Sequence, residues 1–361
     1  MNGLLLLAST LGLARPAPDS ARDSLRAGVT LSGFVDAYYA YDFGRPAQRD
    51  RAFTTQAARH NEFNLNLAHI ALSLERARIR GRLALQVGTS VQANYAGEAN
   101  VGALSGATLS RHVQEATAGL RLAKAAWLDA GIYFSYVGWE GWISRDNPTY
   151  SRSLVAEYTP YYLSGVRIIW QPARRLTVQG HLMNGWQKIS EDNAGKALGA
   201  RVDFVVTPKL TLAYGGFVGN EQPSNLAGAT RWFHQFMLRA LPSAGLLFQA
   251  QADYGRERGA KLREWYGGVL IGRASLTRQV ALSARVERFS DSDQVVAATT
   301  GAAGLVATGA SMGVDIALPE GLLWRTELRG LRATKRVFPK AGIPNASRTN
   351  SVVLTSLALT L

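Results

Sequence analysis

Residues 78–95 read RIRGRLALQVGTSVQANY, and this stretch decides the fold. Ile79, Leu83, Leu85, Val87, Val91 and Tyr95 share one parity; Arg78, Arg80, Arg82, Gln86, Ser90, Gln92 and Asn94 share the other. A helix would scatter both sets around its circumference, whereas a β-strand places one set on an apolar face and the other on a polar face. The stretch therefore predicts a strand with one dry and one wet side.

The pattern recurs along the chain. Leu198, Ala200, Val202, Phe204 and Val206 oppose Arg201 and Asp203. Leu246, Phe248, Ala250, Ala252 and Tyr254 oppose Gln249, Gln251 and Asp253. Val280, Leu282, Ala284 and Val286 oppose Ser283, Arg285 and Glu287, and Leu322, Trp324, Thr326 and Leu328 oppose Arg325, Glu327 and Arg329. Within 61–76 the apolar parity switches between Leu67 and Ile70, which predicts a bulge near Ala68-His69.

The connections alternate in length. Short turns fall near Glu75–Arg78, Ala123–Ala126, Gln171–Arg175, Thr207–Lys209, Pro242–Gly245, Leu276–Gln279 and Pro319–Gly321. Longer polar loops fall near 44–60, 96–108, 140–159, 187–196, 220–229, 256–261, 290–303 and 333–347. Together they delimit about sixteen strands of roughly 10–16 residues each.

Composition narrows the choice. The chain has 361 residues, no Cys, 47% apolar residues and a net charge of +14. Absence of Cys excludes a disulfide scaffold, a thiol catalyst and cysteine-ligated zinc. No apolar run reaches the length of about 18 that a transmembrane helix needs. The mean hydropathy of −0.04 is an average over two opposed faces. An open sheet of this size would leave two edges exposed, and so wide a closed sheet could not fill its interior with an apolar face. Lipid outside and water inside resolves both difficulties, because a closed barrel pairs every backbone polar group. The expected fold is thus all-β: a closed antiparallel transmembrane β-barrel of about sixteen strands in a bacterial outer membrane, without a domain linker. An even strand number puts both ends on the short-turn, periplasmic side. Tyr38, Tyr39, Tyr41, Trp127, Tyr136, Trp139, Trp142, Tyr161, Tyr162, Trp170, Trp186, Trp232, Trp265 and Tyr266 lie near predicted strand ends and are expected in interfacial girdles.

Residues 4–14, LLLLASTLGLA, followed by Arg15, Pro16 and Asp19, suit the apolar core of a secretory signal, although only Met1-Asn2-Gly3 precede them. Residues 1–25 are assigned to the signal and N-terminal tail, and 26–361 to the barrel. The chain ends SVVLTSLALTL, with Val353, Thr355, Leu357, Leu359 and Leu361 on the lipid parity. Such a strand resembles the signal read by barrel-assembly machinery, which usually ends in an aromatic rather than Leu361.

GFVDAYYAYDFGRP (33–46), HNEFNLNLAHIALSLE (60–75), WEGWISRDNPTYSRSLVAEYTPYYLSGVRIIWQP (139–172) and VQGHLMNGW (178–186) resemble the β-barrel porin-2, OmpL-like family. The resemblance spans most of the chain beyond residue 28. It implies an outer-membrane barrel of porin type, with transported solutes generally unassigned.

The loop at 140–159 carries Glu140, Arg145, Asp146, Arg152 and Glu157 among Trp142, Ile143 and Tyr150. If it folds inward, Glu140 and Asp146 face wall arginines and set a transverse field; if it packs on the rim, those charges are solvated. Arg78, Arg80 and Arg82 form a ladder that either attracts anions in the lumen or pairs with neighbouring acids. Arg167, Arg201 and Arg231 are candidates for further positive lumen charge. The mixed set Arg285, Glu287, Arg325, Glu327 and Arg329 reads as self-neutralising support.

Gly309-Ala310-Ser311-Met312-Gly313 fits G-x-S-x-G, but a nucleophile elbow needs a strand-to-helix turn and an alternating strand surrounds it. Asp291 and Asp293 lack a full oxygen cage for calcium. The five histidines show no ligand spacing, and no phosphate-binding or dinucleotide fingerprint occurs. No catalytic residue, metal or cofactor is expected. Basic residues dispersed on alternate strand positions exclude a nucleic-acid stripe. The leading expectation is a passive channel for small hydrophilic solutes with mild anion preference. The competing one is a non-conducting barrel with a structural, adhesive or lipid-modifying role. Outer-membrane lipid and assembly machinery are the expected partners, together with a homotrimeric state that no stretch of sequence marks.

Overall fold

The computed structural model describes residues 28–361. The proposed signal at 1–25 lies outside them. In chain order the first elements are β1 (Val29–Asp42), β2 (Phe63–Glu75), β3 (Ile79–Val87), the short helices α1 (Thr89–Tyr95) and α2 (Ala107–Ser110), β4 (Val113–Ala123) and β5 (Ala126–Phe134). After a helical turn α3 (Leu154–Glu157) come β6 (Tyr162–Ala173), β7 (Leu176–Met183), β8 (Ala197–Thr207), β9 (Leu210–Asn220) and β10 (Thr230–Ser243). The rest are β11 (Leu246–Arg258), β12 (Leu262–Ser275), β13 (Val280–Asp291), β14 (Leu305–Ala317), β15 (Leu322–Ala333), the hairpin β16 (Phe338–Lys340) and β17 (Ile343–Ser347), and β18 (Thr349–Thr360).

Sixteen of these strands close into one antiparallel barrel, as the alternation of faces requires. β1 pairs with β18, from Phe34↔Thr360 to Asp42↔Val352, so no edge is left. The hairpin β16-β17 lies outside the barrel sheet, in the last long loop. The expected apolar parity faces outward: Leu83, Leu198, Leu270 and Met312 are exposed, while Arg285, Glu287, Arg325 and Glu327 point inward. On β18, Val353, Leu357 and Leu361 are exposed, on the expected lipid side.

Two local expectations fail for identifiable reasons. The strand expected to run to Tyr95 stops at Val87, and residues 89–95 are helical. Val87, Val91 and Tyr95 are four apart, a spacing that fits an even strand parity and one face of a helix equally well. Ser90, Val91, Asn94 and Tyr95 are the buried face of α1. Gly88 makes the exit, with φ +137°, where an added Cβ would lie 2.3 Å from the Asn66 carbonyl oxygen. The bulge expected near Ala68-His69 sits at Asn66, because β2 skips it between Asp36↔Leu67 and Ala37↔Leu65. Asn66 is fully buried; its amide donates to Asp36 (2.8 Å) and its oxygen accepts from the Ala57 N–H (3.0 Å).

Candidate functional site

A closed barrel of sixteen strands has room for a water-filled bore. Here the connection between β5 and β6, residues 135–161, enters it. Irregular backbone inside a barrel must find partners for its N–H and C=O groups. The inward-facing charged residues of the wall supply them. Arg325 donates to the carbonyls of Ser144 (2.5 Å), Asn147 (3.0 Å) and Pro148 (3.2 Å). Arg285 donates to the Ser151 carbonyl (2.6 Å) and to Thr149 Oγ1 (2.9 Å). Arg201 donates to the carbonyls of Tyr136 (2.5 Å) and Gly138 (3.1 Å). The complementary bonds come from acceptors: Glu327 takes the Ser151 N–H (2.7 Å), Glu287 the Leu154 N–H (2.6 Å) and Gln235 the Gly138 N–H (2.6 Å).

The loop reaches the far rim as well. Arg145 donates to the Gly321 carbonyl (2.9 Å) and to Thr360 Oγ1 (2.5 Å), both at the short-turn end of the barrel. Towards the long-loop rim, Tyr136, Val137, Leu154 and Val155 pack with Phe217, Phe233, Trp265 and Phe289 from the wall and with Phe338 from the last loop. That half of the interior is an apolar core of the kind found inside soluble proteins, held by dispersion and burial.

The girdle assignment is corrected by the same core. Tyr38, Tyr136, Trp139, Trp142, Tyr161, Tyr162 and Trp265 are buried, and Trp186 packs edge-on against Phe217 and Phe233. Trp127 lies between Arg80 and Arg121, whose guanidinium carbons stand 4.5 and 4.6 Å from its ring centroid. Trp170 and Tyr266 are exposed, as a girdle requires.

Each candidate charge has a definite place. Glu140 is buried 3.7 Å from Arg285 and accepts the Ser153 N–H (3.0 Å) and hydroxyl. Burial pushes its carboxyl above the ordinary range, against the pull of Arg285 and the Ser153 donors. Asp146 does not join it: it makes no salt bridge among the described residues, and the wall's Arg325 acts on it only through space. Arg152 is buried over the Tyr161 ring, 3.5 Å from its centroid, and donates to the Ala156 carbonyl (2.7 Å). Arg78 sits exposed in the β2-β3 turn, outside the lumen. Arg80 and Arg82 point inward, and both are paired, with Asp129 (2.6 Å) and Glu115 respectively.

Arg167 shares Asp129 with Arg80 at 3.0 Å. Arg231 pairs with Glu257 at 2.7 Å, and Arg263 joins the same carboxylate. Arg201 pairs with Asp203 at 2.8 Å. Arg273 and Arg325 share Asp315, and Arg285 and Arg329 share Glu287. Each of these four wall carboxylates, Asp129, Glu257, Asp315 and Glu287, bridges two arginines, which is how a strongly basic chain places its excess charge inside. Sequence reading missed the anchoring role of Arg285, Arg325, Glu287, Glu327 and Gln235. Their alternate placement was visible, but their partner, a loop 97 to 181 residues away, left no mark beside them.

Ser311 of the G-x-S-x-G stretch lies within continuous β14, flanked in register by Arg285 and Arg329. Asp291 accepts the N–H groups of Val295, Val296 and Ala297 and so folds its own loop. Among the described residues no group of three or more His, Cys, Asp or Glu gathers as a metal site would.

A closed barrel with an inserted third long loop defines a protein of the porin class. The chain matches, over residues 28–361, the family described as Putative beta-barrel porin-2, OmpL-like, and it belongs to that family. No curated protein matches it in sequence. Among solved structures it is similar to the loop L8 deletion mutant of OmpT, an outer membrane protein of Vibrio cholerae (TM-score 0.59, 10% identity, 92% of this chain and 99% of that one). It is similar to the same degree to an anion-selective porin from Comamonas acidovorans (0.59, 10%, 92% and 99%). Salmonella typhi OmpF in complex with daunomycin is a further likeness (0.58, 11%, 92% and 97%). At these identities the likeness establishes the fold, and with the family it points to an outer membrane.

Proposed function

We propose that this chain is a non-enzymatic outer-membrane channel for small hydrophilic solutes, and that segment 135–161 is its constriction. The observation that carries the reading is the bonding of that loop's backbone to Arg201, Arg285, Arg325, Glu287 and Glu327 across the bore. A mild anion preference rests on the short-turn mouth. There two part-exposed arginines, Arg80 and Arg167, share the single carboxylate of Asp129, and Arg121 rests on Trp127 with no salt-bridge partner among the described residues. A surplus of fixed positive charge at a narrow entrance raises the local anion concentration. With this reading go export by a leader in 1–25, a single barrel over 26–361, insertion by barrel-assembly machinery and a homotrimeric assembly.

A second reading is favoured by one observation: the inward residues at mid-height, among them Gln235, Gln251, Asp253, Arg285 and Glu327, are nearly all buried. A barrel so filled would serve as a closed surface scaffold. Purified protein in planar bilayers separates the two. Stepwise conductance with an anion-leaning reversal potential in a KCl gradient is expected; silence under varied voltage and salt gives the second reading, and a cation-leaning potential removes the anion preference.

A further inference from the structure

Opposite faces of the barrel treat arginine differently. Arg288 on β13 and Arg332 on β15 lie on the outward parity, close to the long-loop rim, and both are exposed. They occupy one row of the sheet, Arg288↔Thr308↔Arg332, with a single strand between them. Strand spacing sets their Cα atoms about 10 Å apart, within reach of one ligand for two long side chains. Among the described residues neither forms a salt bridge. The outward positions of β13, β14, β15 and β18 carry no carboxylate at all.

Beside Arg332, across β14, β15 and β18, the surface is shallowly indented. A groove of about 480 Å³ is lined by Thr308, Ala310, Gly330, Arg332, Thr349 and Ser351. It opens onto the apolar belt, where Val286, Met312 and Leu328 stand fully out of the wall. Elsewhere near the same rim the arginines are differently placed, since Arg256 stands directly across from the outward carboxylate of Glu264. A second outward groove, of about 540 Å³, carries Arg256 and Arg258, with Arg256 stacked 5.0 Å from the Trp232 ring centroid.

An unpaired arginine beside a hydrocarbon belt is costly unless it reaches an anion at the interface. Guanidinium groups bind phosphate oxygens in bidentate, charge-assisted fashion. We propose that the groove beside Arg332, flanked by Arg288 one strand beyond Thr308, seats a phosphate-bearing lipid of the leaflet on the long-loop side. The two arginines hold the phosphate, and the small residues Ala310, Gly330 and Ser351 leave room for an acyl chain against the wall.

Native mass spectrometry of the detergent-solubilised full chain, titrated with lipid A and with its dephosphorylated form, tests the assignment. The phosphorylated lipid should bind at least about tenfold more tightly, as expected for bonds to a charged group. R288Q/R332Q should bring its affinity down to that of the dephosphorylated form, and R78Q, at the opposite rim, should change nothing. Gly330→Leu should weaken both forms, since a side chain there meets no protein atom within 4 Å and projects into the groove. Equal binding of the two lipids by the wild type overturns the proposal without any variant being needed. Undiminished binding by folded R288Q/R332Q, or by R288Q and R332Q singly, also overturns it. So does complete displacement of the lipid by millimolar inorganic phosphate, which would make the site one for a free anion.

Discussion

Arg285 and Arg80 are both inward-facing arginines on barrel strands, yet they do different work. Arg285, like Arg325 and Arg201, is buried and spends its donors on the backbone of the inserted loop. Arg80, like Arg82 and Arg167, keeps a fifth to a third of its side chain exposed and binds side chains, chiefly carboxylates, rather than loop backbone. The first group replaces water for a segment that has left it; the second, on the proposed channel reading, sets the field of an entrance that keeps it. Position in the barrel decides between these roles, because the loop crosses towards β13–β15 and leaves the short-turn mouth of β3–β6 open.

The strongest way to break this contrast is to remove the loop. Replacing 137–157 by a short Gly-Ser linker should raise single-channel conductance several-fold while the barrel persists, since closure depends on strand pairing alone. An unchanged conductance would mean that the loop does not constrict the bore. Next in size is Arg285→Ala. It strips partners from Glu327, Glu287 and the Ser151 carbonyl at once, and deleting one partner of a buried ion pair costs about 3–5 kcal/mol. Thermal unfolding in detergent should show a clear fall, accompanied by noisier current as the loop leaves its seat.

The mouth responds in the opposite way. Arg80→Gln with Arg121→Gln leaves Asp129 paired to Arg167, so no buried charge is orphaned. The loss of stability should be about 1 kcal/mol or less, the range of partly exposed pairs. The reversal potential in a KCl gradient should move towards cations, with conductance nearly unchanged. If Arg285→Ala moved the potential more than this pair does, the division of roles would be wrong.

These roles differ in how far they could be read from the chain. The period-2 parity of Val280–Glu287 or Leu322–Arg329 names the face, because a strand's geometry is local. It does not say what fills the interior, which depends on contacts across more than a hundred residues. Hence the barrel, the strand number and the inward charges were legible, while the anchoring of 144–154 was not. Aromatic residues misled for the same reason: Trp142 and Tyr162 suit an interface and a core equally, and only the loop's path assigns them to the core. Residues 89–95 show the limit of parity itself, since positions four apart obey both periods.

Glu140 offers the finest test of the buried side of the contrast. It belongs to the loop, not the wall, and its carboxyl is held above the usual value by burial. With the loop out, Glu140 ionises near its ordinary value of about 4.5; with the loop seated, it keeps its proton to higher pH. The seated form therefore binds more protons between those two values, and its stability falls as pH rises through that window, then levels off. Glu140→Gln retains an acceptor for Ser153 and cannot ionise. Unfolding midpoints of the two proteins should accordingly lie closest in acid, shift in favour of Glu140→Gln as pH rises from the ordinary value to the raised one, and keep a constant gap above it. The opposite trend, with wild type gaining on the variant towards neutral pH, would mean that the attraction of Arg285 outweighs burial and that Glu140 is a net anchor in its charged form.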